Sequence, residues 1–225
     1  MNTQNTATAR LVYENGLKIV KEAGLDPNVV KLTQSDLVLE QQLFINITQY
    51  QFPVLNNQNG QGGNTIFNTE VRLTQQDSFI SSAWGFFLAA PGSAVDATFI
   101  VQTYPNPLVF AGGASAAAET LYNSVAQIKV NNDVVYPVWH LSRHRMVPQT
   151  QQTATIVGVE NGNAYSQIDL SSDGFFPMEP NFVIIGSKNT VITAILPAAL
   201  AAVTAFQRAR FHFRGLLAQN STIIT

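Results

Sequence analysis

The feature of this sequence that most constrains its fold is an alternation of apolar and polar side chains with a period of two. In one segment Phe67, Thr69, Val71 and Leu73 alternate with more polar residues, and residues 126–130 repeat the alternation. Successive side chains of an extended chain point to opposite faces, so this period places the apolar set on one face of a strand. The pattern therefore predicts β-strands that are buried on one side.

Short segments of this type are separated by turn residues over most of the chain after residue 42. Asn131-Asn132-Asp133 and Asn161-Gly162 are typical of tight hairpin turns. Further strands are predicted at residues 43–50, 79–88, 98–104, 134–141, 153–159, 167–170, 182–185, 191–196 and 206–217. Strands do not alternate regularly with helices, so a parallel sheet is not expected. Many short strands joined by tight turns predict an antiparallel β-sandwich or barrel.

The first 40 residues have a different pattern, which predicts a helical arm. Residues 7–24 are amphipathic and end at Gly24, which suits the left-handed cap of a helix, and Pro27 follows as a stop. A second short helix is expected within residues 29–44. The apolar stripe of the first helix comprises Leu11, Val12, Ile19, Val20 and Ala23. Such a stripe docks on its own domain, on a neighbouring copy or on a lipid surface, and the sequence leaves all three open.

The chain therefore divides into a predicted helical arm at residues 1–40 and a mainly β, antiparallel sandwich at residues 41–225. Within the sandwich one short helix is expected at residues 115–123, where Ser115 can cap the helix and three alanines follow. The most apolar window, residues 191–206, is shorter than the ~20 residues needed to span a membrane. A strand followed by a short helix that starts at Pro197 is predicted there.

The composition indicates a surface that other molecules cover. Only 12% of the residues are charged, about half of the roughly 25% that is typical of globular proteins. Interface centres are depleted in Lys, Glu and Asp, because an ion that loses water without gaining a partner is unfavourable. The formal net charge of −2 gives no general attraction to nucleic acid or to a membrane surface. The absence of cysteine excludes disulfides and thiolate chemistry.

The titratable side chains form no complete catalytic or metal-binding pattern. His140 and His144 would lie about 13 Å apart on a strand, too far to share one metal ion. Asp169, Asp173 and Glu179 cluster in sequence and could serve a glycosidase, which needs two carboxylates facing each other across a cleft. Beside glycine and aromatic residues, such a cluster is more typical of a loop. We therefore expect no enzymatic activity, no metal and no cofactor.

One strong charge pattern lies in residues 206–215. Strand geometry would place Arg208, Arg210, His212 and Arg214 on one face and Ala209, Phe211 and Phe213 on the other. A row of like charge repels itself unless acidic groups face it. With Arg143 and Arg145 it forms a solvated face with internal ion pairs, a contact to carboxylates of a neighbouring subunit, or a contact to packaged nucleic acid. We favour the subunit contact, because arginine suits bidentate pairing with carboxylates at interfaces.

The arm, the many short strands, the helix at 115–123 and the Asn/Gln-rich loops together resemble the jelly-roll coat proteins of icosahedral viruses, particularly of small bacteriophages. The segments Phe-Asn-Thr-Glu-Val-Arg-Leu at 67–73 and Ile-Gly-Ser-Lys-Asn at 185–189 are similar to segments of phage virion proteins. The resemblance covers residues 40–225. It implies an antiparallel, jelly-roll-like sandwich without enzymatic activity.

The resemblance also implies a function: a structural virion protein that self-assembles into an icosahedral capsid in the host cytoplasm. Its partners would be copies of itself and other virion proteins, without a small-molecule substrate, while contact with packaged nucleic acid or an internal membrane stays open. The candidate subunit contacts are Leu11, Val12, Ile19, Val20, Arg143, Arg145, Arg208, Arg210 and Arg214. Two alternatives remain. One is a receptor-binding or tail-associated virion protein with an aromatic pocket near Tyr104, and the other is a carbohydrate-binding sandwich.

Overall fold

The computed structural model describes residues 3–54, 73–91, 99–104, 113–145 and 174–221. Within these residues the chain forms two α-helices, nine β-strands and one 3₁₀ turn. The helices are α1, Thr3–Glu22, and α2, Gly113–Tyr122, and the 3₁₀ turn is Leu141–His144. The strands are β1, Lys31–Gln42; β2, Gln49–Val54; β3, Ser78–Pro91; β4, Phe99–Gln102; β5, Val125–Val130; β6, Asp133–His140; β7, Phe175–Ile185; β8, Thr190–Ile195; and β9, Arg208–Gln219.

The strands form two antiparallel sheets. The larger sheet has the order β1-β9-β3, and both β7 and β4 pair with the free edge of β3. Strand β7 pairs with residues 78–85 of β3, and β4 pairs with residues 88–91. The smaller sheet has the order β2-β8-β5-β6. Because β3 is 14 residues long, it has room for two partners on one edge.

The path of the chain between the sheets is that of a jelly roll. With β4 set aside, the larger sheet reads β1-β9-β3-β7 and the smaller sheet reads β2-β8-β5-β6. Apart from β4, which follows β3 in the same sheet, the described strands change sheet at every step except between β5 and β6, which form a hairpin. This is the arrangement of two Greek keys wrapped into a sandwich. The predicted mainly β, antiparallel, jelly-roll-like sandwich with a helical arm and one inserted helix is confirmed.

Large aromatic side chains fill the space between the two sheets. Trp84, Phe86, Phe211 and Phe213 of the larger sheet are buried, and Phe52 of the smaller sheet meets them. The ring centroids of Trp84 and Phe211 are 5.6 Å apart, and those of Phe52 and Phe211 are 4.8 Å apart. Aromatic pairs at such distances attract each other in addition to burying area. The predicted division of β9 into two faces is therefore confirmed, and the face with Ala209, Phe211 and Phe213 points into the core.

The second arm helix predicted within residues 29–44 is wrong, because this segment forms strand β1. All 12 residues of β1 pair with β9, and Leu37 and Leu39 point into the core with the spacing of a strand. Pairing with a neighbouring strand and burial of alternate side chains decide the conformation here, rather than local preference. The predicted boundary at residue 40 consequently falls inside β1.

Two smaller differences concern the connections. Residues 43–48 form a turn, and β2 begins at Gln49 rather than at the predicted residue 43. The short helix predicted at Pro197 is wrong: the Leu200 carbonyl accepts a hydrogen bond from the Asn46 N–H, which holds this segment against the turn. The helices predicted at 7–24 and 115–123 are confirmed. The strands predicted at 153–159 and 167–170, and residues 67–72, lie outside the described residues.

Tight turns close one end of the sandwich. The β5–β6 hairpin turns at Asn131-Asn132, and Asn131 has a φ of 54°, as expected for a two-residue hairpin. The Asn189 N–H donates to the Asn131 side-chain oxygen at 3.0 Å, and the Gly186 N–H donates to the Asp77 carbonyl at 2.9 Å. These bonds join Asp77, residues 131–132 and residues 186–189 into what we call the tight end.

Candidate assembly surfaces

The second half of α1 docks on the outer face of the larger sheet of its own chain. Val20 is fully buried in a cluster with Ile80 of β3 and Ala218 of β9, and Ile19 packs against the same cluster. A Cβ on Gly16 would lie 2.8 Å from a methyl carbon of Leu216, so the glycine lets the helix approach the sheet closely. Of the three docking surfaces left open by the sequence, Ile19 and Val20 therefore use their own domain.

The docking surface of the first half of the apolar stripe, Leu11 and Val12, is not established. Leu11 and Val12 lie on α1, but their side chains are outside the part of the structure that can be described. Helix α1 has 20 residues, which at 1.5 Å per residue amounts to about 30 Å. A helix of that length can dock its second half on its own domain and present its first half to another molecule. The contact predicted for Leu11 and Val12 stays a prediction.

The arginine row of β9 is paired within the chain. Strand β1 lies beside β9 with Glu40 directly opposite Arg210. The Glu40 carboxylate accepts hydrogen bonds from Arg210 and, at 3.3 Å, from Arg208. All three side chains are largely buried, with Glu40 only 8% exposed. The carboxylate that we expected on a neighbouring subunit thus belongs to the same chain.

The other half of the row is also engaged locally. The Arg214 guanidinium lies 3.7 Å from the ring centroid of Phe175, which is cation–π geometry. His212 lies 3.3 Å from the Asp36 carboxylate. Burial lowers the pKa of His212, the Asp36 charge opposes that shift, and the nearby charges of Arg214 and Arg210 add to it. The predicted row therefore forms one face of β9, as expected, but it is an internal polar network.

Arg143 and Arg145 lie at the 3₁₀ turn rather than on β9 and have other partners. Arg143 sits 4.9 Å from the ring centroid of Trp139, and Arg145 pairs with Glu119 of α2 at 3.3 Å. Both members of the second pair are about half exposed, so it contributes little to stability. The two predicted groups of arginines thus have separate partners within the chain.

His144 turns inward from the 3₁₀ turn and becomes part of the core, while His140 stays exposed on β6. The Trp139 indole N–H donates to Nε2 of His144 at 2.9 Å. Nδ1 must then carry the proton, which it donates to the Gly174 carbonyl at 2.8 Å. Burial lowers the pKa of His144 to about 4, the Gly174 bond opposes the shift, and the Arg143 charge adds to it. His144 is thus a neutral, structural histidine.

The His144 environment predicts an acid-sensitive fold. Between pH 6.5 and about 4 the unfolded chain binds a proton at this residue that the folded chain does not. The free energy of unfolding should therefore fall with falling pH, by about 1.4 kcal/mol per unit and roughly 3 kcal/mol in total from this group. Denaturant unfolding across pH 4–7.5 measures the slope. His144→Phe should flatten it by close to one proton; a variant that keeps the wild-type slope would contradict the assignment.

The metal-ligating side chains of the described residues do not cluster: no group of three His, Asp or Glu side chains there could hold a metal ion. Glu179 is exposed on β7, while Asp169 and Asp173 lie outside the described residues. No helix in the part of the chain that the structure describes is long and apolar enough to cross a membrane.

A further surface, which the sequence did not predict, lies at the end of the sandwich opposite the tight end. Residues 43–48, between β1 and β2, are joined there to residues 196–207, between β8 and β9. Backbone hydrogen bonds of 2.8–3.1 Å run from the N–H groups of Leu43, Asn46 and Leu196 to the carbonyls of Gln207, Leu200 and Thr48, respectively. We call these two joined segments the apolar end.

The apolar end exposes large hydrophobic side chains without any charge. Phe44, Ile45 and Phe206 are 48%, 52% and 47% exposed, and several alanines beside them are also exposed. The sequence has no Asp, Glu, Lys, Arg or His at residues 41–69 or 189–207. These two uncharged runs are the sequence signal for the apolar end. They are far apart in the sequence, however, and become neighbours only through the jelly-roll path of the chain.

Comparison of the chain with protein-family models, with curated proteins and with solved structures found no match. What the chain does must therefore be inferred from its own fold and surfaces.

Proposed function

We propose that this chain is a structural virion protein that self-assembles into an icosahedral capsid shell in the host cytoplasm. The observation that carries the proposal is the jelly-roll strand order, β1-β9-β3-β7 facing β2-β8-β5-β6. Viral capsid domains, lectins and cupins share this architecture. The interior and the surfaces of the chain favour the first of these classes.

The interior favours a structural role over ligand binding. Barrels that hold a ligand in their interior keep space for it there. Here Phe52, Trp84 and Phe211 occupy that space, and neighbouring ring centroids are 4.8–5.6 Å apart. A core filled by side chains stabilises the subunit and leaves binding to the outer surfaces.

The outer surfaces favour contact with other protein chains. Only 12% of the residues are charged, and the apolar end exposes two phenylalanines. Strand β6, at the edge of the smaller sheet, exposes Val134, Val135 and Val138. Exposed apolar side chains at a sheet edge promote association with further chains. Copies of the chain and other virion proteins are the proposed partners.

The arginine row gives no support to packaged nucleic acid as a partner. Arg208 and Arg210 already hold the Glu40 carboxylate, and that carboxylate would repel a phosphate group. Phosphate binding draws on arginines and lysines whose charge faces outward. The proposed role of these two residues is therefore to join β1 to β9 inside the subunit.

Particle formation tests the proposed function. Purified full-length chain is expected to form large closed particles, seen by negative-stain electron microscopy and as a fast-sedimenting species in velocity centrifugation. A discrete trimer would favour the receptor-binding or tail-associated alternative. A monomer that binds immobilised glycans would favour the carbohydrate-binding sandwich. Either of these two results contradicts the capsid proposal.

The same particle measurement tests the arm with two changes on one helix. Leu11→Asp with Val12→Asp should reduce particle yield while circular dichroism and the unfolding midpoint stay at wild-type values. Val20→Asp is the matched control, because a charge at that fully buried position destabilises the subunit itself. If the double variant unfolds like Val20→Asp, its side chains belong to the subunit core and the arm does not tie neighbours together.

A further inference from the structure

The apolar end combines exposure with a firmly built backbone. Three backbone hydrogen bonds, 2.8–3.1 Å long, hold residues 43–48 against residues 196–207. Phe44, Ile45 and Phe206 nevertheless stay about half exposed. Single exposed apolar side chains are normal, whereas contiguous ones mark a surface that binds something. The geometry is fixed before binding, so little ordering is needed when a partner arrives.

Phe206 has a backbone conformation that its side chain disfavours. Its φ is 60°, in the left-handed region that bulky residues rarely adopt. Asn46, in the facing turn, has nearly the same φ of 64° and tolerates it well. The Phe206 turn is closed by neighbouring residues: the Gln207 N–H donates to the Thr204 carbonyl at 3.0 Å. The turn thus has no need of an aromatic ring at position 206.

Burial accounts for only part of Phe206, because the residue is 47% exposed. Strained backbone positions cluster at sites that bind other molecules. The strained turn places Phe206 at the surface, where its side chain is available to a partner.

The absence of charge indicates what the partner is. Around a rotation axis each residue near the axis faces its own copies, so any charge there would face a like charge. Neither segment of the apolar end contains a charged residue. A partner of a different sequence would normally be matched by complementary charges at the rim of the contact. Binding to a lipid surface commonly uses basic residues beside the apolar ones, and the apolar end has none.

We infer that the apolar end binds the apolar end of further copies of this chain, with Phe44, Ile45 and Phe206 packed together around a rotation axis. The inference rests on the proposed function in one respect: it names the surface through which self-assembling subunits meet.

Phe206→Asn tests the inference through two measurements with different expected signs. Asparagine relieves the strained conformation, so the thermal unfolding midpoint of the isolated subunit should equal or exceed that of the wild type. Removal of the ring should reduce the fraction of associated chain at least tenfold, measured by sedimentation velocity over a concentration series. Val29→Asn is the matched control: Val29 is 53% exposed and adjoins Val30, which packs with Ala218 near the tight end. The control should associate like the wild type.

The outcomes separate this inference from the proposed function. Wild-type association by Phe206→Asn overturns the inference and leaves the capsid proposal standing. A lower unfolding midpoint also overturns it, since the ring would then serve the subunit core. If the wild type forms small oligomers but no closed particles, and Phe206→Asn abolishes these oligomers, the inference is supported and the capsid proposal is contradicted. A monomeric wild type that floats with phosphatidylcholine vesicles, while Phe206→Asn does not, overturns both and makes lipid the ligand.

Discussion

Glu40→Ala is expected to lower the free energy of unfolding by roughly 3–5 kcal/mol, the usual cost of removing one partner of a buried ion pair. The Glu40 side chain is 8% exposed, and it faces Arg208 and Arg210, whose side chains are 13% and 14% exposed. Without the carboxylate, two neighbouring guanidinium groups on one strand face would stay desolvated and would repel each other. Denaturant unfolding of the variant and the wild type at neutral pH measures the change.

Glu119→Ala is the matched control for Glu40→Ala. Glu119 also pairs with an arginine at 3.3 Å, but its side chain and that of Arg145 are 54% and 43% exposed. Exposed pairs of this type contribute about 0–1 kcal/mol, so this control should stay close to wild-type stability. An equally small effect of Glu40→Ala would contradict the internal network and would return the arginine row to the candidate subunit contacts.

The ion pairs of Glu40 with Arg208 and Arg210 also affect how a charge-reversal variant at position 210 is interpreted. Arg210→Glu would place a second carboxylate beside Glu40 and destabilise the subunit, so lost assembly in that variant alone does not demonstrate a contact between subunits. The double variant Glu40→Arg with Arg210→Glu restores opposite charges and should regain part of the lost stability. A double variant no more stable than Arg210→Glu would show that the two side chains do not act as a pair.

Gly215→Ala is expected to destabilise the fold by about 4 kcal/mol, at the upper end of single-residue effects. Gly215 lies on β9 opposite Ser81, beside the irregularity between Ser81 and Ala83 of β3. A Cβ built at Gly215 would lie 1.9 Å from the Ile80 carbonyl oxygen and 3.1 Å from the Ser81 Cα. Relief requires backbone of two paired strands to separate, because the clashing atoms are not the ends of flexible side chains. Denaturant unfolding measures the loss.

Gly113→Ala provides the comparison. Gly113 is the first residue of α2, and a Cβ there would come no closer than 4.0 Å, to the Ala202 Cβ. Alanine favours helix over glycine by up to ~1 kcal/mol, so this variant should match or slightly exceed the wild type. If Gly215→Ala is as well tolerated as Gly113→Ala, the close approach of β9 to β3 is not required for the fold.

The strand pattern of the sandwich could be predicted because burial of one face of a strand produces a local period-two pattern in the sequence. Phe211 and Phe213 alternate with polar residues on β9, and Asn131-Asn132 records the turn of the β5–β6 hairpin. Strand β1 was missed because residues 31–36 carry little apolar alternation. Its conformation depends on β9, which lies far away in the sequence.

The surfaces could be predicted only in part, for a related reason. Period-two spacing was enough to place Arg208, Arg210 and Arg214 on one face of β9. The identity of their partners was not visible, because Glu40 and Phe175 come from strands that are adjacent to or near β9 only in the folded sheet. Burial of His144 depends likewise on Gly174, which is 30 residues away in the sequence.

The central position of β9 has a consequence for how the subunit is made. Strand β9 lies between β1 and β3 and pairs Lys31 with Gln219, so the larger sheet cannot close until residue 219 has left the ribosome. Contacts of such long sequence separation form slowly, and incomplete chains expose strand edges that aggregate. The apolar end likewise needs residues 43–48 and 196–207 together. On the proposed self-assembly, a chain would become competent to associate only after residue 219 has left the ribosome, so shorter nascent chains on one messenger RNA would not assemble with each other.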